Sequence, residues 1–391
     1  MSAHDLPGLS RRRFLTASAA GLGAASVARL AGAAGGSSAR AAGTALGGVD
    51  LTDAVLEAFQ THRLVGLGEA EGLQNHHDLL ELLLTDPRVP EVVDDIVVEF
   101  GNALYQPMID RFIAGEPVDN VDLRPVWRNT TQSPASTWDQ PVYEQFYRTV
   151  RAVNSTLPPA KQMRVLLGDP PIDWSKITTA SQVFAFQAQR DSHAASVVEK
   201  EVLGKGHRAL LCYGAGHFFH SISSDLVSII ERQTGERTYT IFDLVPSAGD
   251  PGGLARILSP YARNTVIPTA GTWLASFDMG FIPPYLERVT KGGKPGGKPT
   301  KPTKPPKGGK LTNPWCGTRL GPLVDAGLYY GQPEVLTASW WNPAIYLDRA
   351  YWKELQRRNA LQLISLDLDS YRQEQPAPPL LKIPRSAECK T

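Results

Sequence analysis

Four short apolar runs in this chain end in a glycine, an acid or a histidine. They are Leu64–Glu69, Ile96–Gly101, Val165–Asp169 and Leu210–His217. Each has the length and the continuous Val/Leu/Ile character of a strand buried on both faces, and each is followed by a helical pattern. In an open α/β sheet the ligand crevice lies outside the carboxyl ends of such strands. Glu69, Glu99, Asp169 and His217 are therefore expected at one edge, as an acid–base or metal constellation, and an enzyme is the first expectation.

The alternation continues. Asp50 to Gln60, Leu79 to Leu84, Ala103 to Ala114, Val142 to Val153, Gln182 to Leu203 and Phe218 to Gln233 carry helical spacing. A fifth strand, Thr238 to Phe242, ends at Asp243, and Asp325 to Gly331 reads as a late strand and turn. This order predicts an α/β fold, a largely parallel central sheet with helices on both faces. Residues 115–140 read as a long loop near the site, and 250–290 as less regular.

The N-terminus has the form of an export signal. Ser10-Arg11-Arg12-Arg13-Phe14-Leu15 resembles a twin-arginine motif, an Ala/Gly-rich stretch follows, and Ala39-Arg40-Ala41 offers a small-x-small cleavage site. Residues 1–41 are read as this signal, 42–375 as one α/β domain and 376–391 as a tail. The expected location is periplasmic, wall-associated or secreted, with no stable membrane span. The signal holds five Arg and one Asp, so the remainder has 35 basic and 38 acidic residues, a net of −3. Seven of those Lys lie in the Lys/Pro/Gly-rich segment 291–310, a polyproline-like loop that could adhere to an anionic cell-envelope polymer. The rest of the body is strongly acidic, which argues against nucleic acid as a partner. Of the three cysteines, Cys212 sits in an apolar run as a small hydrophobe, and Cys316 and Cys389 could pair in an oxidising compartment.

The candidate chemistry starts from Glu69 and Glu99, two carboxylates able to hold a divalent cation or to divide into an acid and a base. His217 follows Gly214-Ala215-Gly216 at the expected start of a helix, where the neutral imidazole is favoured. Glu69, Glu99 and His217 are the candidate metal ligands. Arg190 and Asp191 lie on the long helix, and Arg190 could hold a carboxylate or an oxyanion. Glu71, His76, His77, Asp169, His193 and His220 are supporting candidates. Of the adjacent pair His76 and His77, at most one is expected to face the site, and His220 could share His217's face at i+3. No GxSxG elbow, Walker loop or Rossmann glycine pattern is present, which removes weight from serine hydrolase, NTPase and nicotinamide chemistry.

Leu67-Gly68-Glu69-Ala70, Glu99, Arg190-Asp191 with Ala194-Ala195, Gly214-Ala215-Gly216-His217 and Asp325 to Gly331 together resemble the erythromycin esterase-like, ChaN and Tiki superfamily, across roughly residues 50–370. The resemblance implies an esterase-type hydrolase, a metal-dependent peptidase or a haem-binding role. Gly68-Glu69-Ala70-Glu71 departs from the superfamily's first Gly-x-x-His by placing a glutamate where the histidine is expected. The function expected is an exported hydrolase of a small molecule or peptide, using a carboxylate/His site with or without a divalent metal. The alternatives are a haem- or metal-binding uptake protein using His217 and Tyr213, and an inactive envelope-binding member.

Overall fold

A computed structural model describes residues 48–246, 253–282, 315–362 and 365–372. The expected signal at 1–41, the 291–310 segment, Cys389 and the expected tail at 376–391 lie outside the described residues. Eight strands form one sheet: β1 Val49–Asp50, β2 Leu64–Glu69, β3 Asp95–Asn102, β4 Arg164–Asp169, β5 Ala209–Gly214, β6 Thr238–Asp243, β7 Thr265–Pro268 and β8 Ala326–Tyr329. Their order is β1-β7-β8-β6-β2-β5-β3-β4, parallel from β8 through β4, with β7 antiparallel to both β8 and β1. The expected α/β fold with a largely parallel sheet is therefore present.

The chain moves toward the β4 edge from β2 through β3, then reverses to insert β5 between β2 and β3. Right-handed crossovers in opposite directions put their helices on opposite faces. On the first face, Gln74–Thr85, Gln106–Ile113 and Pro141–Asn154 pack on Val65, Leu67, Ile96, Val98, Leu210 and Cys212. On the second, Arg190–Val197 and Leu226–Thr234 pack on Leu64, Val97, Ala209, Leu211 and Tyr213. Each parallel strand is buried on both faces, which is why these runs are almost continuously apolar.

Several elements differ from the sequence expectation. The long helix is broken into Ala180–Gln187 and Arg190–Val197, the first opened by a capping box from Thr179 and Gln182. The helix expected from Phe218 begins only at Leu226, because a single 3-10 turn, Ala215–His217, is followed by irregular chain. The 115–140 region contains short helices rather than open loop. No helix among the described residues is long and apolar enough to cross a membrane. Cys212 is free and buried, and Cys316 is disulfide-bonded.

Candidate functional site

The candidates divide into two hydrogen-bonded networks. Glu69 ends β2 level with Gly214 of β5 and faces the same way. β3 pairs regularly with its neighbours only as far as Val98 and shifts register before Asn102, so Glu99 lies in the irregular stretch, its carboxylate on the Gly214 amide. β5 also stands between their strands. The expected pairing of Glu69 with Glu99 is thus corrected: they belong to separate clusters.

On the first face Glu69 is enclosed. Its Oε1 accepts from the Tyr143 hydroxyl, from His77 Nε2 at 3.0 Å and from the Gly72 N–H at 3.1 Å. Burial pushes the carboxyl up, but the charge and hydrogen bond of His77, the nearby His76 and Tyr143 outweigh it and bring Glu69 down to about 2. Beside it, His76 Nδ1 lies 2.8 Å from the Tyr330 hydroxyl and 3.5 Å from Asp243 Oδ2, and Tyr330 donates to Asp243. Burial lowers the His76 pKa and the Asp243 carboxylate raises it, with a net rise. Both histidines therefore point inward, His77 onto Glu69 and His76 onto Asp243.

In the second network His217, Asp191 and Arg190 are part-exposed, while Glu99 is as buried as Glu69. Glu99 Oε2 accepts from the Gly214 N–H at 2.7 Å, and Oε1 accepts from Gln132 Nε2 at 2.8 Å and from Arg190 Nη2. His217 Nε2 stands 3.3 Å from the same Oε1, while its Nδ1 donates to Asp191. The imidazole is thus held between two carboxylates with its side chain 13% exposed, against 2% for Glu69. Arg190 and Asp191 come from the first turn of the Arg190–Val197 helix, and His217 from the turn that leaves β5. That turn packs against a bare strand: a Cβ at Gly68 would stand 2.9 Å from the Ala215 Cβ, and one at Gly66 would stand 2.6 Å from Phe218. The glycines of β2 serve this close packing and not a phosphate loop.

Asp169 lies at the rim. It accepts from both the backbone and the hydroxyl of Thr131, and Arg190 Nε stands 3.8 Å away. Burial pushes its pKa up to about 8 against the two Thr131 bonds. His193 donates from Nδ1 to the Gly168 carbonyl at 2.9 Å, which makes Nε2 its lone-pair nitrogen. Glu71 Oε1 and Glu99 Oε2 each stand 3.2 Å from the position a Gly214 Cβ would take, and His217 Cδ2 stands 3.7 Å from it. Three candidate groups therefore meet over the missing side chain of Gly214.

His220 is not part of this site. It bridges Glu231 and Asp325, each at 2.9 Å, and Arg237 pairs with Asp325 at 2.7 Å. The i+3 expectation failed because no helix runs from His217 to His220. Five partners were not among the predicted site residues: Tyr143, Asp243, Tyr330, Thr131 and Gln132. Asp243 carried a usable signal, since it ends an apolar strand run just as Glu69 and Asp169 do.

The donor sets do not fit the expected cofactors. Among the described residues no group of three His, Cys, Asp or Glu is placed to hold a metal ion. Glu69 Oε1 is already bonded by Tyr143, His77 and the Gly72 amide, and the Glu99 Oε1 already meets the Arg190 guanidinium. As a haem ligand, His217 would present two nitrogens that both face carboxylates. The Tyr213 hydroxyl is buried against Gly168, only 1.6 Å from where a Cβ there would sit.

No family model and no curated protein matches the sequence. Solved structures show slight likeness. A Bacillus cereus protein aligns with a TM-score of 0.44 at 10% identity, over 73% of this chain and 91% of its own. The type III effector HopBA1 aligns at 0.32 and 13% identity, over 50% and 84%. ChaN of Campylobacter jejuni, described with cofacial haem binding, aligns at 0.30 and 10% identity, over 51% and 88%. These likenesses are too slight to carry a residue role or an activity from any of these proteins to this chain.

Proposed function

We propose that the chain is an exported hydrolase that activates water with a histidine–carboxylate pair and no metal ion, acting on an ester or amide of a small molecule or peptide. The observation that carries this reading is the His217 ring, held between Asp191 and Glu99 at a solvent-reaching strand edge. An ionised carboxylate only accepts, so Asp191 fixes a proton on Nδ1; the Glu99 Oε1 near Nε2 is already held by Arg190 and Gln132, which leaves Nε2 to exchange its proton with water. Water gives a proton to Nε2 as its oxygen bonds to the substrate carbonyl carbon. The imidazolium then returns that proton to the leaving group. Glu99 stabilises the imidazolium while it lasts, and Arg190, anchored by Glu99, sets its positive charge beside the oxyanion or a substrate carboxylate.

General acid–base assistance of this kind is worth ~10²–10⁴ in rate. The test is a panel of p-nitrophenyl esters and aminoacyl p-nitroanilides turned over by wild type, His217→Ala and Asp191→Asn. The expected result is turnover in the wild type and a loss of about 10²-fold or more in His217→Ala, with a smaller loss in Asp191→Asn. Equal turnover by wild type and His217→Ala, or none by either, would count against the reading.

A further inference from the structure

The stretch from Arg128 to Ser136 brings two residues to the acids of the second network. Gln132 Nε2 donates to Glu99 Oε1 at 2.8 Å, and the Thr131 N–H donates to Asp169 Oδ2 at 2.8 Å. The stretch lies between the short helix Pro125–Arg128 and the 3-10 turn Ser136–Asp139, so no ladder of backbone bonds fixes its course. Trp174 and Gln187 hold its carbonyls at Thr130 and Thr131. A second set of anchors comes from the far end of the described chain. Arg358, in the helix Arg349–Ala360, is 4% exposed. Its Nη1 donates to the Arg128 carbonyl at 3.1 Å and to Ser133 Oγ at 3.0 Å, and its Nη2 to Asn129 Oδ1 at 2.8 Å. Gln362 Nε2 donates to the Ser133 carbonyl at 3.2 Å, and the Tyr371 hydroxyl accepts from the Ser136 N–H at 3.0 Å. Glu354 accepts from Arg358 Nε at 2.7 Å, so the buried cation is paired while both Nη groups face the loop.

We propose that Arg358 is a positioning residue for the candidate site: by clamping Asn129 and Ser133, on either side of Thr131 and Gln132, it seats these two on Asp169 and Glu99. The planar guanidinium fork reaches three acceptors at once, which a single ammonium or amide does not. Glu99 Oε1 also meets Arg190 and His217, so a displaced Gln132 frees that carboxylate to turn within the network. The catalytic meaning of the clamp rests on the hydrolase reading; the clamp itself does not.

The experiment is hydrogen exchange read by mass spectrometry on the full chain, in wild type, Arg358→Gln and Arg357→Gln. Arg357 ties the same helix to the Trp174 and Ile177 carbonyls, at 2.7 and 2.8 Å, and is the control for helix docking. Peptides spanning 129–136 are expected to exchange about 10-fold faster or more in Arg358→Gln, with β5 peptides unchanged, and to stay within about twofold of wild type in Arg357→Gln. On the ester and anilide panel Arg358→Gln is expected to lower kcat about tenfold at an unchanged KM. Wild-type exchange in Arg358→Gln, or equal loosening by Arg357→Gln, overturns the proposal. Should Arg358→Gln fail to fold, Gln362→Ala and Tyr371→Phe each delete one anchor and are expected to loosen the same peptides less. No loosening in either overturns it too. A loosened loop at wild-type kcat overturns the role in the site. A loosened loop in a protein that hydrolyses nothing supports the clamp and counts against the hydrolase reading alone.

Discussion

Glu69 and Glu99 are equally buried but belong to separate hydrogen-bond networks, so the two acids that look most alike in the sequence keep different partners. Glu69 is held by Tyr143 and His77. Glu99 meets Arg190, Gln132 and His217.

Glu69 should shape acid stability. Its folded pKa is about 2 against an ordinary 4.5. A depressed carboxyl contributes stability that is complete above the unfolded value and is lost as pH falls through the folded one. The wild type should therefore lose on the order of 3 kcal/mol between about pH 5 and pH 2 from this group. Urea midpoints measured across that range should fall steeply in the wild type and less steeply in Glu69→Gln. Parallel curves would show that Glu69 does not carry this term.

Gly168 and Tyr213 should behave as one packing unit. A Cβ at Gly168 would stand 1.6 Å from the Tyr213 hydroxyl oxygen, which is buried with no hydrogen-bond partner among the described residues. Gly168→Ala alone should cost about 1–3 kcal/mol by overpacking. Tyr213→Phe should be neutral or stabilising, since it removes an unsatisfied buried hydroxyl. The double variant should recover part of the Gly168→Ala loss in thermal or chemical unfolding. Additive effects would contradict the contact.

The His220–Asp325 pair should matter for stability and not for the site. Burial pushes Asp325 up, but His220, the Thr240 amide and Arg237 bring it down to about 2, and Asp325 in turn raises His220. The His220 share of stability is complete below its ordinary 6.5 and is lost as pH rises through the higher folded value. The Asp325 share is complete above 3.8 and is lost as pH falls toward 2. Asp325→Asn should cost about 1–3 kcal/mol. It should leave turnover of the ester and anilide panel unchanged, and a loss of turnover in the folded variant would show that the two regions are coupled.

β2 to β6 and β8, their parallel pairing and the edge that gathers Glu99, His217, Arg190 and Asp191 were legible because buried parallel strands are continuous apolar runs with polar residues only at their ends; β1 and the short antiparallel β7 were not. The division of the acids was harder to see. Parity fixes the face of Glu69 relative to Val65, but the sequence does not say that β5 inserts between β2 and β3, nor in which register. Tyr143 and Tyr330 were hidden because a buried tyrosine on an apolar helix face or strand end looks like core until its hydroxyl finds a carboxylate. His220 was misplaced because the glycine turn at Gly214–Gly216 closes as a single 3-10 turn and does not continue as a helix.

The most direct test of the central claim is turnover of the ester and anilide panel before and after exhaustive chelation, with Glu99→Gln measured beside the wild type. A histidine–carboxylate hydrolase should keep its rate through chelation and lose about 10²-fold or more in Glu99→Gln, at an unchanged unfolding midpoint. Loss of activity on chelation, with recovery on adding back a divalent ion, would contradict it.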